Sequence, residues 1–373
     1  MKVLHISSAR NYSGTERHIV DLCRSLQQRG HDVFVALRPT SDWQHRLDFL
    51  PKENIFHVSI RHSFGVLSGM KIAEFARDNE IDIIHAHVAR DYIPGNIASL
   101  AAKPAKFVLT RHMLSPLKPF NKFALKNLSR AIGVSEFVGQ ELKMVFPSHK
   151  VTVIKNGLDL ENLRDRETLR REFREFHDIG EDAPLVGTLG ELREPKGQRD
   201  FVLAAAEVIK QFPDCWFVVT GLDHTIDKSF RRELRRLANV LGVGERILWL
   251  DWLDDTAPFY AAIDVFVSPS HAESFGLSIL EAMIRGTPVV STATRGAREL
   301  LGSTTDLVPV RDPVKLADAI CNVLNENRDA IGEELRRRAS EKFSLERMLD
   351  ETEQLYAEIC PEIRRAEYQE QGK

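Results

Sequence analysis

Short apolar, β-branched runs recur along the chain, separated by stretches with helical spacing. In the first half they fall at residues 3–7, 33–37, 82–87, 106–110, 131–134 and 151–155. Runs that are apolar on both faces predict strands of a buried parallel sheet with helices on both sides. A helix is predicted over 15–29, with Gly30 where a C-terminal glycine belongs. Residues 159–182 are dense in Arg and Glu and predict an exposed helix plus a connection. The pattern then restarts, with strand-like runs at 185–189, 216–220, 247–250, 265–268 and 288–292. Two successive α/β sets predict an α/β fold of two Rossmann-like, doubly wound parallel-sheet domains facing each other across a cleft. No sequence repeat relates the halves. The helical stretch 313–356 is long and interrupted, and the polar 366–373 is expected to fray. The boundaries drawn from this are 1–165, 166–345 and a terminal segment 346–373.

Length agrees, since 373 residues exceed one comfortable core. With 43% hydrophobic and 28% charged residues, disorder and a fibrous repeat are excluded. A net charge of -3 gives no whole-chain case for nucleic acid, and none is expected as a partner. Cys23, Cys215, Cys321 and Cys360 form no C-x-x-C pair, which argues for reduced thiols and against a zinc site. No apolar run reaches the roughly 20 residues of a membrane span, and strand-forming residues begin at Val3. A cytoplasmic protein is therefore expected, either soluble or peripheral on the inner face of the membrane.

In open α/β sheets, ligands sit at the carboxyl ends of strands, and the informative residues fall there. HAESFGLSILE, residues 271–281, reads as the loop and helix after the strand at 265–268. Glu273 lies in the loop and Glu281 a turn inside the helix, among Ile279, Leu280, Ala282 and Met283. A carboxylate in so apolar a run needs a partner, and ribose hydroxyls can serve. Carboxylates beside a helix N-terminus suit a ligand with both phosphate and hydroxyls, such as a nucleotide sugar. GELREPKG, residues 190–197, offers Arg193 as a fork and Lys196 as a point charge for a diphosphate. The alternative is a solvated turn in which Glu191 and Glu194 pair with them. Gly14 follows the first strand, either admitting a ligand close to the backbone or forming an ordinary turn. His112 follows the strand at 106–110 and is a candidate for contact with sugar or leaving group; His85 and His87 in IIHAH are weaker candidates. Residues 103–155 hold ten cations against Glu136 and Glu141, mixed with Phe and Leu. Such a segment, Lys103 to Lys155, either rests on an anionic membrane surface or forms a solvated basic face.

With these motifs in view, the chain resembles the retaining glycosyltransferases of family four, of GT-B architecture, as found in bacterial glycan and lipopolysaccharide assembly. The resemblance spans nearly the whole chain. It rests on HAESFGLSILEAMIRGTPVV, GELREPKG, VIKNGLD, the first-strand glycine loop and RGAREL. It implies an N-terminal acceptor domain, a C-terminal donor domain and a last helix returning to the former. It implies a nucleotide-diphosphate sugar as co-substrate and a glycan or lipid-linked acceptor. Glu273 would hold the donor sugar, Glu281 the ribose and Lys196 the diphosphate. Backbone at Ser274, Phe275, Gly276 and Leu277 would help at the phosphates, Gly14 would lie near the donor, and His112 would face the transferred sugar. His112, Glu273 and Lys196 are thus the expected catalytic set. Two positions depart from the family pattern: Glu191 stands where many relatives have arginine, and Ser13-Gly14 where many have two glycines.

The resemblance implies retention at the anomeric carbon. Departure of the diphosphate develops negative charge that Lys196, Arg193 and helix amides would stabilise. No D-x-D motif is present, so no metal and no other cofactor is expected. Two other classes remain open: a sugar-nucleotide epimerase of similar fold, and a non-catalytic nucleotide-sugar-binding protein. A dehydrogenase is disfavoured, because residues 9–16 offer Gly14 alone in place of G-x-G-x-x-G.

Overall fold

The computed structural model describes residues 1–60, 65–159, 165–305 and 307–361. The chain divides into two compact units: Met1–Gly157 together with the chain from Glu346, and Leu158–Leu345.

The first unit is built on β1 (Lys2–Ser7), β2 (Asp32–Leu37), β3 (Ile55–His57), β4 (Ile83–Ala86), β5 (Lys106–Arg111), β6 (Leu128–Gly133) and β7 (Val151–Val153). They form one sheet in the order β3-β2-β1-β4-β5-β6-β7, every pairing parallel. Val3, Leu4, Ile6, Val35, Ile83, Ile84, Phe107, Val108 and Leu109 are fully buried, as the apolar runs predicted. The strand β3 escaped the hydropathy pattern because it is three residues long, with Ile55 and Phe56 partly buried and His57 exposed. The helix Gly14–Gln28 lays Ile19, Leu22, Cys23 and Leu26 on the sheet at i, i+3, i+4, i+7 spacing. It ends at Gly30, whose φ of +86° lets the chain turn while the His31 amide donates to the Leu26 carbonyl at 3.0 Å.

The second unit contains β8 (Leu185–Leu189), β9 (Trp216–Thr220), β10 (Ile247–Leu250), β11 (Val265–Ser268) and β12 (Val289–Ser291). Their order is β10-β9-β8-β11-β12, again all parallel. Both units are thus the doubly wound, Rossmann-like sheets of the GT-B fold. In each, strand order reverses at the first strand, between β1 and β4 and between β8 and β11. Neighbouring loops diverge at that reversal and leave room for a ligand.

The charged stretch at 159–182 differs from its expectation; residues 160–164 lie outside the described ones. Its helix Arg166–Phe176 buries Leu169, Phe173 and Arg174. The Arg174 guanidinium donates to Asp264 at 2.9 Å and to the carbonyls of Gly180, Ala183 and Ala262. An arginine whose charge is matched by a buried aspartate can enter a core that arginines usually avoid. Arg174→Met is expected to cost about 3 kcal/mol, since Asp264 keeps Arg170 at 3.0 Å and Arg328 at 3.3 Å. In thermal unfolding this is a fall of roughly 10 °C, and an unchanged midpoint would refute the assignment.

The interrupted helical stretch resolves into Pro313–Asn325, Arg328–Lys342 and Leu345–Ile359. The last packs on the first unit, burying Met348, Leu349, Leu355 and Tyr356. Arg29 pairs with its Glu346, Asp350 and Glu353. All four cysteines are buried thiols outside any disulfide. No described helix is long and apolar enough to cross a membrane.

Candidate functional site

In the second unit, two loops meet beyond the ends of β8 and β11. The first leaves β8 at Gly190 and makes the turn Glu194–Lys196 before the helix Gln198–Val208. Gly197 closes that turn at φ +71°, and a Cβ there would lie 1.9 Å from the Pro269 carbonyl oxygen. Only glycine lets this loop press so closely against the end of β11. The second loop, His271 to Gly276, is fastened to the first. The His271 amide donates to the Pro195 carbonyl at 2.9 Å, and its Nε2 lies 2.8 Å from the Asp200 carboxylate.

This packing brings Lys196 to Glu273, and the two form an ion pair. The Glu273 carboxylate also accepts from the Ser270 hydroxyl at 3.2 Å. The Gly296 amide donates to its carbonyl at 3.1 Å. A Cβ on Gly296 would meet the Phe275 oxygen at 2.3 Å, so the RGAREL helix also abuts this loop by way of a glycine. Gly276, at φ +99°, turns the chain into the helix Leu277–Ile284. Helix-start amides with a cation and a carboxylate beside them form a site for an anion that also bears hydroxyls.

Glu281 lies in that helix, 7% exposed, and accepts from the Thr256 hydroxyl at 3.1 Å. A polar group so deep in an apolar run therefore does have a protein partner. Ser274 shares the loop with Glu273, while the Phe275 ring is core, 5.9 Å centroid to centroid from Phe343. Arg193 stands apart: it is exposed and paired with Glu191 at 3.2 Å. Of the residues singled out here, the structure joins Lys196 directly to Glu273, sets Ser274 through Leu277 beside them and turns Arg193 to its neighbour.

Gly14 and His112 belong to the first unit. Gly14 opens the helix Gly14–Gln28, and Ser13 before it hydrogen-bonds the Glu16 carboxylate. Burial raises the pKa of Glu16 despite that bond. His112 follows β5 and joins four other histidines. His5 and His85 are register partners on β1 and β4. His5 Nδ1 lies 3.0 Å from His87 Nε2, and His112 Nε2 is 3.5 Å from His87 Nδ1. His85 is held by the Tyr356 hydroxyl at 2.6 Å and Thr110 at 2.7 Å, and His18 lies edge-on to His112. Burial lowers all five, His5 to about 3 and His18 to about 4, and neighbouring imidazoles lower His5, His85, His87 and His112 further. Nearby, Asp91 accepts from the Ser8 amide at 2.8 Å and is pushed up to about 6 by burial.

His5 and His18 were not anticipated. The signal was present: HIS in the first strand mirrors IIHAH at the same depth of the sheet, and His18 sits one turn into the first helix.

Residues 12–162 match the sequence model of Glycosyltransferase Family 4, and residues 183–326 match that of Glycosyl transferases group 1. The chain is a GT-B-fold glycosyltransferase. This glycosyltransferase is 27% identical to the lipopolysaccharide core biosynthesis glycosyltransferase LpsE of Rhizobium meliloti, over 96% of this chain and 99% of that one. It is 25% identical to N-acetyl-alpha-D-glucosaminyl L-malate synthase of Bacillus anthracis, over 91% and 92%. The crystal structure of Anabaena HepE in complex with UDP and glucose superposes with a TM-score of 0.84 at 21% identity, over 96% of this chain and all of that one.

Proposed function

We propose that this glycosyltransferase moves a sugar from a nucleoside-diphosphate donor, with retention and without metal, to a glycan or lipid-linked acceptor in surface-polysaccharide or lipopolysaccharide assembly. The observation that carries it is the Lys196–Glu273 pair held by two glycine-packed loops at the reversal point of the second sheet. A diphosphate draws the Lys196 ammonium to itself and frees Glu273 to accept from sugar hydroxyls. Glu281 beside Thr256 takes ribose hydroxyls, and Ser274 through Leu277 offer backbone to the phosphates. Arg193, tied to Glu191, contributes at longer range. Gly14 and His112 are the contributions of the first unit, His112 to the transferred sugar. The donor's C1–O bond to the diphosphate breaks as the acceptor oxygen bonds C1 on the same face, and the acceptor proton passes to the diphosphate. Lys196 stabilises the charge that grows on that leaving group.

Donor binding is testable by thermal shift across UDP-, GDP- and ADP-sugars. A donor at 100 times its Kd is expected to add about 2.7 kcal/mol of stability. UDP-sugars lead the order, because the similar HepE structure contains UDP. Stabilisation by no nucleotide sugar would end the reading. Donor turnover without an acceptor would instead favour an epimerase, and binding without turnover a non-catalytic protein.

The basic segment Lys103 to Lys155 supports a cytoplasmic, membrane-surface location. Met113, Phe120, Phe123 and Met144 are exposed there, among Lys118, Lys122, Lys126 and Lys143. Apolar side chains among lysines suit a surface of anionic lipid headgroups. Cosedimentation with anionic vesicles at low salt, lost at high salt and in Phe120→Ser/Phe123→Ser, is the expected result. Equal cosedimentation with neutral vesicles, or none with either, would refute it.

A further inference from the structure

Five clustered imidazoles, four of them buried and His112 half-buried, are more than the transfer reaction employs. The inner ones are largely engaged with one another: His85 has a partner at each ring nitrogen, and His5 Nδ1 meets His87, while among the described residues His5 Nε2 has no hydrogen-bond partner. The outer three differ. One ring nitrogen from each of His18, His87 and His112 lies within 4.8 Å of the other two. His87 Nδ1 and His112 Nε2 are 3.5 Å apart, long for a hydrogen bond between rings. Two nitrogens bound to tetrahedral zinc at about 2.0–2.1 Å stand about 3.4 Å apart. The His18 ring is 4.8 Å from the His112 ring and 9% exposed, and among the described residues its nitrogens make no hydrogen bond. Behind His87, its Nε2 rests on His5 Nδ1 at 3.0 Å. A hydrogen bond at the far nitrogen fixes the tautomer and tilt of a metal-binding imidazole. The half-buried His112 is the side from which an ion can enter.

We propose that His18, His87 and His112 bind a divalent transition-metal ion of the zinc and copper class, and that this ion switches the glycosyltransferase off. Three neutral imidazoles suit zinc, copper and nickel rather than magnesium or calcium, and they leave a fourth position for water. Small ring rotations bring the three nitrogens to bonding distance. No bond of the substrate changes at this site. The ion occupies the lone pair of His112 and ties that ring to the sheet, away from the sugar it serves. Inhibition rests on the function proposed above; metal binding does not.

The test is cobalt titration of the chelator-treated full chain, read by the visible absorption of tetrahedral cobalt, with zinc as competitor. One equivalent is expected to bind, with at least a 30-fold loss of affinity in His18→Gln. His18→Cys, which restores a ligand, is expected to regain zinc binding and so separates lost coordination from lost folding. Absence of saturable cobalt and zinc binding, or equal affinity in His18→Gln, overturns the site. In the transfer assay, equimolar zinc is expected to abolish activity and a chelator to restore it; full activity with zinc bound overturns the switch. Cobalt binding by a chain that transfers no sugar even after chelation leaves the metal site standing and counts against the transferase reading.

Discussion

Lys196→Ala is expected to lower kcat/KM by about 10²–10³, equivalent to roughly 3–4 kcal/mol of transition-state stabilisation. Among the described residues, Lys196 is the cation that the structure places directly against Glu273. Negative charge on the leaving diphosphate increases along the reaction, so the loss falls more on kcat than on donor affinity. The mutation also leaves Glu273, whose side chain is 12% exposed, with the Ser270 hydroxyl as a hydrogen-bond donor but without its cation. Some loss of thermal stability accompanies the kinetic effect, and circular dichroism separates the two. Lys196→Arg keeps the charge and is expected to recover part of the rate. A kcat/KM for Lys196→Ala within threefold of the parent would show that the diphosphate is stabilised elsewhere.

The second large effect is loss of stability in mild acid. In the metal-free protein, His5, His18, His85, His87 and His112 all have folded pKa values below the usual 6.5. Their contribution is fully present above about pH 6.5. As pH falls towards 4, the unfolded chain takes up protons that the folded one refuses. Asp91, at about 6 when folded, and the raised Glu16 act the other way, binding protons in the folded state first. Arg111 adds to the resistance of His112 to protonation. The five lowered groups outnumber the two raised ones, so unfolding takes up net protons below about pH 6.5, and each costs about 1.4 kcal/mol of stability per pH unit. Urea midpoints measured between pH 7.5 and 5 follow this directly. A midpoint that stays flat over that range would mean that the five rings are already charged or solvated.

The strands with continuous apolar runs were legible because a buried parallel strand has few other ways to be written. Val265, Phe266 and Val267 show this, as do Val3 and Leu4. Three features were not. The strand β3 is too short to carry a period. The helix Arg166–Phe176 looks solvated by composition, since a core arginine is recognisable only once Asp264 is known to lie beside it. The histidine cluster breaks the apolar pattern on strands whose partners are set by register rather than sequence distance. At the candidate site, the residue types and their strand-end positions could be read. The pairing of Lys196 with Glu273, 77 positions away, required the fold. The pairing of Arg193 with Glu191 was one of two readings the sequence left open, and the structure shows that pair.

The helix Leu345–Ile359 closes the first unit with residues made after those of the second. Its Tyr356 hydroxyl is a hydrogen-bond partner of His85, which is made 271 positions earlier. On the ribosome, the nascent chain therefore completes the second unit before the first can finish. During that interval the sheet of the first unit waits with the seat of Tyr356 empty and the acidic partners of Arg29 not yet made. A ribosome that stops before codon 345 releases one finished lobe attached to one unfinished lobe. Quality-control proteases would then meet a half-ordered product, and synthesis through Tyr356 becomes a condition for completing the hydrogen bonds of His85.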